Sequence, residues 1–112
     1  MVQDTIQVKW TTDTESKTYQ DAIQIRYDVF ITEQAFPEGS DIDHLEEDAE
    51  HLVLYSEENK PLAAARILET SKDVYLIERV VVAKEARKQG LGRVLMNAME
   101  ERIEENGGKR LY

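Results

Sequence analysis

At 112 residues the chain has the length of one domain. Its 41% hydrophobic residues make it too apolar for a disordered tail, and no apolar run reaches the ~18 residues that a membrane span needs. The absence of cysteine excludes disulfides, thiolate zinc sites and cysteine nucleophiles, and the net charge of −9 excludes a general affinity for nucleic-acid phosphates.

The first residues lack the basic and apolar regions of a signal peptide, and zero cysteine fits a reducing cytoplasm. Charge is uneven along the chain. Residues 38–50 hold Glu38, Asp41, Asp43, Glu46, Glu47, Asp48 and Glu50 with no Lys or Arg. Residues 84–93 hold Lys84, Arg87, Lys88 and Arg93 against Glu85 alone. A basic island in an acidic chain reads either as an anion site or as a solvated face.

Ile6 to Trp10 alternates apolar and polar, which predicts a strand. Residues 11–17 read as a loop, and Thr18 with Asp21 as a capping pair. Behind them Tyr19, Ala22, Ile23, Tyr27 and Phe30 recur at helical steps and predict a helix from Tyr19 to Glu33. Phe36-Pro37-Glu38-Gly39 ends it. Three strands follow, His51–Tyr55, Leu62–Leu68 and Val74–Val82, joined by short turns as an antiparallel meander. Leu91, Val94, Leu95, Ala98, Met99 and Ile103 predict a helix over 91–106, which Gly107-Gly108 terminates. Lys109 to Tyr112 begins something extended, which the right-handed crossover rule places parallel to Val74–Val82. A final strand this short looks cut off inside an element. Trp10, Tyr19, Tyr27 and Phe30 read as core, and Met96 and Met99 as helix packing. His44 and His51 fit no metal-ligand spacing and read as surface residues.

The segment that carries chemistry is Val80 to Arg93, where a strand meets a helix through a basic, glycine-bearing loop. Free N–H groups at a helix start, glycines that let an anion approach, and flanking cations make a phosphate or pyrophosphate cradle. It is not a P-loop, because Arg93-Val94 follows Gly92, nor a dinucleotide fingerprint, because Leu95 stands where the third Gly belongs.

Arg87-Lys88-Gln89-Gly90-Leu91-Gly92 resembles R-x-x-G-x-G, the acetyl-CoA signature of the GNAT acetyltransferase superfamily. Val80-x-Val82 resembles that family's preceding strand, although Lys84 stands where a Pro is usual. Residues 26–34 and Ala64-Ala65-Arg66-Ile67 are similar to the ElaA-like branch. The resemblance implies one GNAT-like domain over 1–112: an α+β fold, a mostly antiparallel sheet flanked by helices, lacking the family's usual last helix and strands. It implies acetyl transfer from acetyl-CoA directly to an amine of a small molecule or peptide. Gln89 to Arg93, including Gly90, Leu91 and Gly92, would hold the pyrophosphate through backbone N–H groups, with charge from Arg87 and Lys88. Val80, Val81 and Val82 would pair with the pantetheine arm. Glu78 and Glu33 are the candidates for the base that deprotonates the amine; either reads equally as a salt-bridge partner, for instance of Arg79 or Arg26. The acidic segment would border the acceptor site, or be an ordinary solvated loop. An uncovered sheet edge would favour a homodimer. The alternatives are a non-catalytic acyl-CoA-binding or oligomerisation module and an unrelated phosphate-binding module.

Overall fold

A computed structural model describes residues 6–37, 39 and 43–111. Glu38, Asp41 and Tyr112, named above, lie outside the described residues. The chain forms β1 (Gln7–Thr11), α1 (Lys17–Arg26), a π-helical continuation (Tyr27–Glu33), a 3-10 turn (Glu46–Asp48), β2 (Glu50–Tyr55), β3 (Pro61–Ser71), β4 (Val74–Val82), a second 3-10 turn (Lys84–Ala86), α2 (Leu91–Glu105) and β5 (Lys109–Leu111). The sheet order is β1-β2-β3-β4-β5, antiparallel until β5, which runs parallel to β4. The expected meander and crossover therefore both form.

Alternation along the strands builds two cores. Leu52, Leu54, Ala63, Ala65, Ile67 and Tyr75 face α2, whose Leu91, Leu95, Met99 and Ile103 are buried against them. Val53, Tyr55, Ala64 and Val81 face α1 and its Ala22 and Ile25, with Val29 beyond. The alanines of β3 occupy the middle of the sheet, where helices cover both faces. The far end of α2 closes as a Schellman motif, with Gly108 N–H bonded to Ile103 O and Gly107 N–H to Glu104 O. A Cβ at Gly108 would run into the Tyr75 ring, so that position needs glycine.

Several local expectations are corrected. The N-cap of α1 is Ser16, whose Oγ accepts from Tyr19 N–H, not Thr18. Asp21 instead accepts from Lys17 at 2.9 Å and from the Tyr55 hydroxyl at 2.5 Å. The helix widens to π geometry after Arg26, a change in hydrogen bonding that three- and four-residue apolar steps do not reveal. Tyr27 is exposed, not core: it lies two residues from both Ile25 and Val29, on the opposite side of the helix. His51 is buried, not on the surface, and its Nε2 lies 2.8 Å from the Glu46 carbonyl.

The acidic segment is more than a solvated loop. Glu46, 5% exposed, accepts from Arg26 Nη1 and Nη2 at 3.1 and 2.7 Å and from Arg66 Nη1 at 3.0 Å. Arg66, fully buried, also forms a two-pronged pair with Asp43 at 2.9 and 2.8 Å and bonds Glu78 Oε1 at 3.0 and 2.7 Å. Burial alone would raise the Glu46 carboxyl, but hydrogen bonds and charge from Arg26 outweigh it and hold it below the usual carboxylate range. Hydrogen bonds from Arg66 hold Asp43 well below that range.

Glu46→Ala should remove a shared carboxylate from two buried guanidinium groups and lower unfolding stability by about 3 kcal/mol, measured by urea titration. Acid should weaken the fold in two stages. Burial lowers the His51 pKa, so the unfolded chain takes up that proton first and stability falls as pH drops through about 6.5. The stability contributed by Asp43 and Glu46 is complete above the ordinary carboxylate pKa near ~4 and is lost below it. Urea midpoints across pH 3–8 check both stages.

Candidate active site

The basic loop sits between the end of β4 and the start of α2. Its first half is bonded to itself: Ala86 N–H reaches Ala83 O at 2.9 Å and Arg87 N–H reaches Lys84 O at 3.4 Å. Its second half is not. Among the described residues nothing accepts from the N–H groups of Gly90, Leu91, Gly92 and Arg93, and the first bond of α2 runs from Val94 N–H to Gly90 O. Gly90 is the N-cap in left-handed geometry, φ 76°, which a residue with a Cβ adopts only at a cost. Lys88 before it is also left-handed, φ 68°. Nothing lies within 4 Å of where a Cβ on Gly90 or Gly92 would stand, and both glycines are exposed. Lys84, Lys88, Gln89 and Arg93 are exposed around them, and the first turn of α2 carries no acid to compete with an anion.

The candidate residues divide by what their side chains do. Leu91 is core, so only its backbone faces the loop. Val81 packs toward α1, Val82 packs against the α2-side core, and Val80 is exposed. Ala83 N–H pairs with Leu62 O on β3, so strand alternation turns the Val82 amide and carbonyl to the outer edge. There the Val82 carbonyl accepts from Arg87 Nε at 3.1 Å. The other Arg87 nitrogens grip both oxygens of Glu33 at 2.6 Å. That grip, first through its hydrogen bonds, holds the Glu33 carboxyl below the usual range. Arg87 thus ties the π segment to the loop. Beside this pair a cleft of about 510 Å³ opens between Asp28, Thr32 and Glu33 on one side and Ala83, Lys84 and Glu85 on the other.

Neither carboxylate has the salt-bridge partner that the sequence suggested. Glu33 meets Arg87, 54 residues away, and Glu78 meets Arg66 on the neighbouring strand. Among the described residues Glu78 Oε2 makes no hydrogen bond. Asp43, Glu46 and Arg66 were missed as organising residues. The signal was present as a buried-strand arginine opposite an acid-rich loop, but composition alone does not say which acids turn inward.

Among the described residues β4 pairs with β5 at Val74, Tyr75 and Leu76, and no described strand pairs with that edge of β4 from Ile77 onward. It is also kinked. Ala64 faces Val81 and Arg66 faces Glu78, so Arg79 and Val80 together oppose Ala65. The extra residue inverts the alternation: Tyr75 and Ile77 face α2 before it, and Val81 faces α1 after it.

Comparison with known proteins agrees with this architecture. The family model "Acetyltransferase (GNAT) family" matches residues 10–112. The N-acetyltransferase YjcF of Bacillus subtilis, itself uncharacterised, is 39% identical over 89 residues, covering 79% of this chain and 61% of YjcF. The crystal structure of an acyl-CoA N-acyltransferase from Pseudomonas aeruginosa superimposes with a TM-score of 0.78 at 29% identity, covering 90% of this chain and 72% of that one. Escherichia coli ElaA superimposes with a TM-score of 0.76 at 27% identity, covering 88% and 70%. The chain spans 58% to 65% of the length of the sequence relatives it matches. With the family model matched over residues 10–112 and the R-x-x-G-x-G loop at the head of α2, the chain belongs to the GNAT acetyltransferase family.

Proposed function

We propose that this domain binds acetyl-CoA and transfers its acetyl group directly to an amine of a small molecule or peptide. The observation that carries the reading is the row of four unpaired N–H groups from Gly90 to Arg93, set among exposed cations. These amides would hold the diphosphate, and Lys88 and Arg93 would add charge. The edge of β4 from Ile77 to Val82, which no described strand pairs with, would offer main-chain groups to the pantetheine amides, as a strand would. The cleft beside Ala83 lies where β4 runs into the loop, on the path of the arm between the diphosphate and the acyl end beside Glu78.

The reaction needs no enzyme-bound intermediate. The neutral amine attacks the thioester carbonyl, a C–N bond forms, the C–S bond breaks, and the thiolate leaves with the electron pair. The amine proton passes to a base, directly or through water. Of the two sequence candidates Glu78 suits the role better, because both oxygens of Glu33 are engaged by Arg87 whereas Glu78 keeps Oε2. A second reading, a non-catalytic acyl-CoA-binding module, draws support from the same pairing, since Arg66 holds the other oxygen of Glu78.

Gly92→Glu should abolish CoA and pyrophosphate binding by calorimetry while leaving the melting temperature unchanged or slightly raised. The new carboxylate would occupy the anion site yet suit the first turn of a helix. Retained affinity would remove the loop from the cofactor site. Glu78→Gln should lower the acetylation rate over an amine panel and abolish the acidic limb of its pH profile. An unaltered profile would exclude Glu78 as the base, and CoA affinity with no turnover by the wild type would favour the binding module.

A further inference from the structure

Arg79 lies in the middle of β4 yet has φ 55°, a left-handed conformation that a residue with a Cβ rarely adopts inside a strand. It is the first of the two residues that oppose Ala65, so its twist makes the bulge. Something outside β4 must hold it. Its Nη2 donates to Asp43 Oδ2 at 3.0 Å. Asp43 is itself fixed from three further directions. Arg66 Nη1 and Nη2 grip its two oxygens, Leu45 N–H donates to Oδ1 at 2.9 Å, and its own N–H reaches Glu46 Oε2 at 3.1 Å. Arg66 is in turn locked between Glu46 and Glu78, and Glu78 is the β4 residue just before Arg79.

We propose that Asp43 is a positioning residue for acetyl transfer: by clamping Arg79 against the buried Arg66 it holds the left-handed kink that sets the backbone of β4 beside Glu78, where the thioester carbonyl would lie. The bulge turns Val81 toward α1 and leaves Val80 exposed, so the orientation of every main-chain group after Arg79 depends on the kink. The diphosphate loop stands at the other end of the connection, on the head of α2, and does not touch Asp43. Loss of the clamp should therefore disturb the acyl end and spare the diphosphate end. The acyl half of this inference rests on the acetyl-transfer reading; the conformational half does not.

The test compares Asp43→Asn, Arg79→Gly and the double variant with the wild type. Glycine adopts the left-handed conformation unaided, so it should make the clamp dispensable. In the ligand-free protein Asp43→Asn should shift the amide resonances of Arg79 to Val81 and speed their hydrogen exchange about tenfold. The double variant should exchange there as slowly as Arg79→Gly alone. With acetyl-CoA labelled by carbon-13 at the thioester carbonyl, the wild type should move the bound carbonyl resonance downfield. Asp43→Asn should lose most of that displacement with an unchanged calorimetric affinity for CoA, and the double variant should regain it. Unchanged exchange in Asp43→Asn, failure of glycine to rescue, or a loss of CoA affinity that tracks the loss of displacement would each overturn the proposal. Failure of the wild type to bind acetyl-CoA would count against the acetyl-transfer reading, and the ligand-free exchange would still decide the clamp.

Discussion

The structure depends on one buried guanidinium. Arg66 stands fully enclosed in β3, with His51 beside it on β2 and Glu78 on β4. An isolated cation in that position would be very costly, so the chain must bring carboxylates to it. Glu78 arrives through strand pairing. Asp43 and Glu46 arrive from the acid-rich loop, and Glu46 also neutralises Arg26 of α1. Tyr19 adds its hydroxyl to Glu46 at 3.1 Å and its ring edge to His51. One network thus joins α1, the loop and the strands β2, β3 and β4. Burial, helped by Arg26 and Arg66 and opposed by Glu46, lowers the His51 pKa within it.

That network fixes the side of the sheet that the apolar core alone leaves loose. On the α2 face, aliphatic side chains fill the space and α2 closes over them. On the α1 face the apolar cluster is smaller, and charged groups continue it toward the kink in β4. The kink and the short contact with β5 act together. Among the described residues β5 pairs with residues 74–76 of β4, and the kinked half lies beyond that pairing. The same half leads directly into the loop whose amides are free. Between the strand and the free amides of the helix head lies a turn bonded to itself through Ala83, Lys84, Ala86 and Arg87.

Charge is distributed in keeping with this division. The chain carries net charge −9, yet the loop around Gly90 is locally cationic. Several of the acids in the 43–50 segment are consumed internally by arginines, and Glu50 by Arg102 of α2, which also lies over the Trp10 ring. Arg87 belongs to both regions: its motif position places it in the basic loop, while its guanidinium binds Glu33 on the π segment. No helix among the described residues is long and apolar enough to cross a membrane.

The sequence by itself determined the elements and the loop. Period-two and helical patterns place the three meander strands and α2, and glycine spacing after a valine-rich strand marks the turn into the head of α2 whose amides are free, because these signals are local. Main-chain chemistry at Gly90 and Gly92 depends on nothing distant, so it could be read residue by residue. Tertiary structure alone decided the rest. Partners such as Glu33 and Arg87 lie 54 residues apart, and electrostatic pairing at that separation leaves no periodic trace. The left-handed Arg79 and the inverted alternation of β4 are equally silent in sequence, since no glycine marks them. The Arg79 side chain meets Asp43 from a loop that composition describes only as acidic.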